Sequence, residues 1–219
     1  MAAKTSTTKI SKGIIIGWYM DFVLEHETRP KSIYKFCKQN KIKEEDFYRF
    51  FGSFESLQKE IWNSFYANTM DLLQKNKEYA GFSNKDKMLS FFYTFFEILT
   101  LNRSYVLFTL DSNRKMLDKM GELKGLRSHF KDYTTELIEE ANAGKTIRLT
   151  QRNPLFFSEG AWIQFLFLLK FWMDDTSAGF EKTDLAIEKS VTTNFDVFDN
   201  TPLDSLIDFG KFLYKENFA

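Results

Sequence analysis

Proline and glycine are scarce in this chain, with 3 Pro and 10 Gly among 219 residues. β-Sandwiches and barrels use both residues in their turns, and collagen-like or Pro-rich disordered chains contain far more of them. The composition therefore excludes the fibrous and disordered classes and argues against an all-β fold.

Cysteine and histidine are almost absent as well. The single Cys37 excludes an intramolecular disulfide, and His26 and His129 lie too far apart to suggest a zinc site. No glycine-rich phosphate loop and no Gly-x-Ser-x-Gly motif is present. We therefore expect no enzyme, no metal and no cofactor, and a reducing, cytoplasmic compartment.

Long apolar runs are also missing. The most apolar stretch, residues 161–173, is short and contains Lys170. A membrane helix needs about 20 predominantly apolar residues. The run Ile14 to Ile16 is too short for the core of a signal peptide. The sequence predicts no membrane span.

Net charge is zero, with 30 Lys/Arg against 30 Asp/Glu, but it is unevenly distributed. Residues 1–50 carry ten basic and six acidic residues, a net of +4, and the remainder carries −4. A basic N-terminal segment is consistent with a nucleic-acid contact there. An imbalance of this size also arises by chance.

Phenylalanine is abundant, at 25 residues, and apolar residues recur at helical spacing along nearly the whole chain. The pattern predicts an all-α protein of about ten helices. The last six are expected at 88–99, 102–116, 119–141, 154–173, 183–198 and 202–214, with a polar loop at 144–153. We divide the chain into an N-terminal three-helix unit (1–52), a linking helix (53–80) and a C-terminal bundle (81–219).

The N-terminal helices contain a specific run of residues. Ser32 precedes the apolar pair Phe36-Cys37, Ile42 follows the turn, Phe47-Tyr48 precedes Phe51, and Ser53 precedes Leu57 by four residues. This order and spacing over residues 10–62 resemble the helix-turn-helix of the TetR repressor family. The resemblance implies a homodimeric, DNA-binding transcriptional regulator whose C-terminal bundle binds a small effector.

Three departures from the family pattern are evident. Lys41 occupies the turn where the family usually has Gly, and Gly52 stands where a Lys often opens helix four. The would-be recognition helix opens with Glu44, Glu45 and Asp46. Carboxylates facing a phosphate backbone lower DNA affinity, whereas at a helix N-terminus they favour the helix. The residues that the resemblance assigns to DNA are Lys31, Ser32, Lys41, Lys43, Tyr48 and Arg49.

Aromatic residues dominate two neighbouring helices of the C-terminal half. A ligand pocket in a helical bundle is mostly apolar with a few polar groups. The candidate lining comprises Phe91, Phe92, Tyr93, Phe95, Phe96, Asn102, Tyr105 and Phe108. Such a lining suits an apolar or aromatic ligand, such as a lipid or a quinone-like molecule. Plain core packing is the commoner use of Phe and remains the alternative.

The run 161–173 is apolar on all sides, so its helix needs partners on more than one face. In the family that it resembles, two late helices form the dimer interface. We predict a dimer face of Trp162, Phe165, Leu169 and Trp172. The alternative is a central helix of a monomer.

Three functions remain open at this point. The first is a TetR-like regulator controlled by an apolar ligand, acting either as repressor or as activator. The second is a lipid- or quinone-binding protein of the same fold that no longer binds DNA, favoured by the three carboxylates. The third is a helical protein-interaction module.

Overall fold

The structure of the protein is a computed structural model that describes residues 10–110, 116–143 and 153–199. Ten α-helices and no strand occur within these three ranges. The helices are α1 Lys12–His26, α2 Ile33–Gln39, α3 Glu44–Tyr48, α4 Phe54–Lys75, α5 Asn84–Leu101, α6 Arg103–Thr109, α7 Met116–Glu122, α8 Lys124–Ala143, α9 Pro154–Asp174 and α10 Glu181–Asp199. The predicted all-α fold is confirmed.

The helices form two compact units. Among the described residues, unit 1 contains 10–65, 99–110 and 116–126, and unit 2 contains 66–98, 127–143 and 153–199. The helices α4, α5 and α8 each contribute residues to both units. The units group residues by contact, whereas the division at 52 and 80 follows chain order and stays a prediction.

Local signals define the starts of several helices. The Ser32 hydroxyl accepts a hydrogen bond from the Lys35 amide at the start of α2, and Ser53 does the same for Ser56 before α4. The Ser83 hydroxyl accepts a hydrogen bond from the Asp86 amide before α5. Asn153 caps α9, whose first residue is Pro154. Each cap satisfies a backbone N–H that lacks a helical partner.

Three predicted helices differ in their bounds, and the one expected over 88–99 begins four residues earlier, at Asn84, as α5. The helix expected over 102–116 ends at Thr109 as α6, and the one expected over 119–141 is divided into α7 and α8 at Leu123. Gly121 and Gly125 flank this break and weaken a continuous helix. A β-carbon at Gly125 would overlap the side-chain oxygen of Asn63, so a larger residue there would require the Asn63 side chain to move. The helix predicted over 202–214 and the loop over 144–152 lie outside the described residues.

An aromatic core holds the first helices of unit 1 together. Phe36 lies at its centre, with ring centroids 6.1 Å from Phe47, 5.6 Å from Phe54 and 6.3 Å from Tyr19. The Gln58 amide donates to the Tyr19 hydroxyl, which satisfies both buried polar groups. Arg29, just after α1, forms an ion pair with the buried Glu122 of α7 at 2.7 Å. These contacts set the position of α2 and α3 on the surface of unit 1.

Unit 2 has a second aromatic core, centred on Phe165 of α9. Its ring stacks on Trp162 at 4.9 Å and lies 5.4 Å from both Phe95 of α5 and Phe130 of α8. Phe91 extends the cluster toward Phe130 at 5.2 Å. The abundant phenylalanine therefore fills helix–helix contacts, where large rings bury the most apolar area.

Helix α9 is longer than its apolar core suggests. It spans 21 residues, and it is the one helix among the described residues that is long and apolar enough to cross a membrane by length and composition alone. The expectation that this segment is too short counted only residues 161–173, so length does not exclude a span. This is weak support for one, because a central helix of a folded bundle passes the same test, and α9 carries the buried Phe165.

The turn between α9 and α10 is built around one buried carboxylate. Asp175 accepts hydrogen bonds from the amide and hydroxyl of Ser177 and from the amide and hydroxyl of Thr183, at 2.6–2.9 Å. Burial on its own raises the pKa of Asp175, but these four donors outweigh it and hold the pKa well below its ordinary value of 3.8.

Replacing Asp175 with asparagine is expected to lower the free energy of unfolding by about 2 kcal/mol at neutral pH, because charge-assisted hydrogen bonds are the stronger kind. A depressed folded-state pKa contributes stability above the unfolded pKa and loses it as pH falls toward the folded value. The difference between wild type and Asp175→Asn should therefore shrink below about pH 4. Urea denaturation at several pH values measures it. Asp174→Asn, at the exposed neighbour, is the control, and an equal effect there would contradict this account.

Candidate nucleic-acid interface and ligand site

The residues that the sequence assigned to DNA lie at the ends of α2 and α3 and in the turn between them. Lys31, Lys41, Lys43, Tyr48 and Arg49 are all exposed on unit 1. Tyr48 is 52% exposed, although its neighbour Phe47 is fully buried. The predicted cationic and phenolic groups are thus solvent-accessible. Ser32 instead caps α2, so its hydroxyl already has a structural partner.

The turn between α2 and α3 explains why the family prefers glycine there. Lys41 has a φ of 56°, in the left-handed region. A residue with a β-carbon pays a steric cost in this conformation, whereas glycine does not. Lys41 therefore keeps the backbone geometry of the turn and adds a cation at its exposed corner.

Two of the three carboxylates of α3 form ion pairs with neighbouring cations. Glu45 lies 3.2 Å from the Lys43 ammonium, and Asp46 lies 3.3 Å from the Arg49 guanidinium. A carboxylate oxygen of Asp46 also accepts the Lys43 backbone amide at the start of the helix. Two of the predicted phosphate ligands are therefore partly neutralised by their own helix, which sequence spacing alone did not reveal.

Cys37 lies beneath this surface and is 1% exposed. Burial raises the pKa of its thiol, and the carboxylates of Glu44 and Asp46 raise it further. A thiol held protonated is a poor nucleophile. In the described part of the chain, no three His, Cys, Asp or Glu side chains converge on a possible metal position.

The residues predicted to line a ligand pocket occupy other places. Phe91, Phe92, Phe95 and Phe96 are almost fully buried and pack ring to ring in the core of unit 2. Tyr93 of the same helix is exposed. Asn102, Tyr105 and Phe108 belong to unit 1. The structure thus places this set in two units, and the four phenylalanines in unit 2 fill its core.

A cavity of about 60 Å³ lies elsewhere in unit 2. Helices α5, α8, α9 and α10 each contribute to its wall. The lining residues are Asn84, Met88, Thr134, Leu137, Ile138, Ala141, Phe157, Ala161, Gln164, Asn194 and Phe195. Most of this surface is apolar, with a small polar group on one side, as is typical of a small-molecule site.

The polar side of the cavity is a chain of hydrogen bonds. The Asn194 amide donates to the Gln164 side-chain oxygen at 2.6 Å, and the Gln164 amide donates to the Ser190 hydroxyl at 3.0 Å. Ser190 then donates to the Ile187 carbonyl. The sequence offered one signal for this group: Gln164 is, with Lys170, one of two polar residues in the apolar run 161–173.

Helix α9 has two opposite apolar faces. The four residues predicted for the dimer interface, Trp162, Phe165, Leu169 and Trp172, are at most 4% exposed and pack within unit 2. The other face exposes Phe156, Ile163 and Phe167, which are 71%, 66% and 59% accessible. Their spacing of seven and four residues places them on one stripe. The stripe available to a second chain is therefore this outer one.

Comparison with known proteins adds an independent finding. A family model described as "Tetracyclin repressor-like, C-terminal domain" matches residues 87–213, more than half of the chain. No curated protein matches the chain. The matched region begins after the helix-turn-helix run at 10–62, so the resemblance and the family model concern different parts of the sequence. With the all-α fold and the three-helix arrangement of α1–α3, the match shows that the chain belongs to the tetracycline repressor-like (TetR) family.

Proposed function

We propose that the protein is a cytoplasmic, dimeric transcriptional regulator that binds duplex DNA through α2 and α3 and responds to an apolar small molecule in unit 2. The observation that carries the proposal is the exposed cationic surface of α2 and α3, in a chain whose C-terminal half is that of a TetR regulator. Such a protein acts by binding, and no reaction is proposed.

The roles of the surface residues follow from their chemistry. Lys31, Lys41 and Lys43 supply charge toward the phosphate backbone, and the Tyr48 hydroxyl can donate a hydrogen bond to a phosphate oxygen. Arg49 must exchange Asp46 for a phosphate on binding. The ion pairs reduce affinity because each of them breaks before the cation meets DNA.

Dimerisation is proposed through the outer stripe of α9. A two-fold axis brings the same apolar patch of two chains together and covers Phe156, Ile163 and Phe167. Two chains then present two helix-turn-helix surfaces to successive major grooves. A ligand can control the spacing of these surfaces only if it binds one conformation more tightly than the other.

The double substitution Tyr48→Phe with Arg49→Gln is expected to weaken duplex binding at least about tenfold, because it removes one phosphate donor and one cation. The slope of log affinity against log salt should fall by about one. Fluorescence anisotropy with a duplex from the upstream region of the gene measures both.

The matched control is Tyr93→Phe with Arg127→Gln, which makes the same chemical changes on exposed residues of unit 2. Its DNA affinity should equal that of the wild type. If both double variants bind equally well, Tyr48 and Arg49 lie outside the DNA interface.

A second candidate function rests on the Lys43–Glu45 and Arg49–Asp46 pairs. If these pairs abolish DNA affinity, the protein is a carrier of a lipid or quinone-like molecule in the TetR fold. Lipid that co-purifies with the protein, together with no duplex binding at low salt, would establish this alternative. Tight and sequence-selective DNA binding by protein purified without ligand would exclude it.

A further inference from the structure

None of the described residues that line the wall of the unit 2 cavity has a charged side chain. Its polar members are Asn84, Thr134, Gln164 and Asn194, all neutral. Moving a charged group from water into contact with neutral lining residues is unfavourable unless an opposite charge meets it. A carboxylate or an ammonium finds no such partner among the lining residues. The cavity therefore selects for uncharged molecules.

Gln164 and Asn194 retain hydrogen-bonding capacity after satisfying each other. An amide side chain offers two N–H donors and an oxygen with two lone pairs. The observed bonds use one donor of Asn194, and one donor and one lone pair of Gln164. Each amide keeps a donor, and the Asn194 oxygen can accept. A group that both donates and accepts complements this pair.

The other two polar residues of the wall form hydrogen bonds with the backbone of α8. The Asn84 amide donates to the Leu137 carbonyl at 2.7 Å, and the Thr134 hydroxyl donates to the Lys131 carbonyl at 3.1 Å. Both bonds join polar atoms of the protein to its own backbone. These bonds leave Asn84 one N–H donor and its side-chain oxygen. Gln164 and Asn194 are the two amide side chains of the wall that are bonded to each other, and we assign recognition of a polar ligand group to this pair.

The remaining wall suits an apolar body. Leu137, Ile138, Phe157 and Phe195 surround it from three helices, and Met88 contributes from a fourth. The volume of about 60 Å³ holds a few water molecules, so a longer ligand must displace side chains. An unbranched methionine adapts to such displacement more easily than a branched residue.

We propose that the effector of this protein is an uncharged molecule with an apolar body and a terminal carboxamide-like group, which pairs with Gln164 and Asn194. This inference rests on the proposed role of unit 2 as the effector unit, and it specifies the chemical class of that effector.

Three probes with the same apolar chain test the proposal: decanamide, decanoate and decylamine. At neutral pH the first is uncharged, the second is an anion and the third is a cation. Titration calorimetry on the full-length protein without DNA should show decanamide binding at least about tenfold more tightly than either ion, given the desolvation cost of charge.

Replacing Gln164 or Asn194 with leucine should weaken decanamide binding about tenfold, because the amide of the ligand loses a partner in an apolar wall. Gln74→Leu, the same change at an exposed position of α4, should leave it unchanged. Gln164→Glu should reverse the selectivity in favour of decylamine, which gains an opposite charge. This gain of binding keeps the test decisive if a leucine variant fails to fold.

Equal affinity for decanamide and decanoate, undiminished decanamide binding in folded variants with leucine at 164 or 194, or no binding of any probe would each overturn the inference. The titrations contain no DNA, so their result is separate from that of the anisotropy experiment. Decanamide binding without DNA affinity would support the proposed cavity chemistry and contradict the proposed function as a DNA-binding regulator. DNA affinity without probe binding would do the reverse.

Discussion

Replacing Phe165 with alanine is expected to lower the free energy of unfolding by about 3–5 kcal/mol. The side chain is completely buried and its ring contacts rings from α5, α8 and α9 itself. Alanine leaves a void that rigid aromatic neighbours fill poorly, so the cavity cost adds to the lost burial. A loss of this size is a large share of the stability of an ordinary domain.

Urea denaturation at a fixed protein concentration measures this effect, since unfolding of a dimer depends on concentration. Phe165→Leu keeps most of the volume and should cost less than about 1.5 kcal/mol. Tyr34→Ala, a truncation of an aromatic residue that is 58% exposed, should change stability by no more than about 0.5 kcal/mol. Equal losses at Phe165 and Tyr34 would show that Phe165 is not at the centre of the core.

Replacing both Ile163 and Phe167 with glutamate is expected to convert the proposed dimer into a monomer and to weaken self-association at least about a hundredfold. Both side chains are exposed on one chain and lie on the outer stripe of α9. In an isologous interface each substitution occurs twice, so four carboxylates would be buried against each other. DNA affinity should fall when dimerisation is lost, because two linked surfaces bind far better than one.

Analytical ultracentrifugation over a range of concentrations measures the change in association. Leu72→Glu, at a half-exposed position of α4, is the control and should leave the association state unchanged. The circular dichroism spectrum should stay helical in all variants, since none of these side chains is buried in the single chain. A double variant that remains dimeric would place the interface elsewhere.

Local features of this protein were predictable from sequence because they depend on neighbours in the chain. Ser32, Ser53 and Ser83 begin helices since a hydroxyl reaches an amide three residues later. Pro154 opens α9 because it needs no amide partner there. The helix-turn-helix run was recognisable from such short-range spacing. The all-α fold class followed from helical periodicity, which is also a local pattern.

The orientation of α9 was not predictable in the same way. Its apolar residues cover all sides, so periodicity cannot distinguish the buried Trp162 and Phe165 from the exposed Ile163 and Phe167. The position of the cavity was not predictable from sequence for the same reason. Whether a phenylalanine fills a core or lines a void depends on which helices pack against it, and those contacts join residues far apart in the chain.

The charge of the α2–α3 surface also depends on three-dimensional contacts. The sequence shows that Glu45 and Asp46 lie near Lys43 and Arg49, but their pairing depends on side-chain geometry at the start of a short helix. Gln164 and Asn194 are thirty residues apart, and they meet only because α9 packs against α10. Spacing within one helix determines caps and faces, whereas packing between helices determines which polar groups meet, and hence the sites.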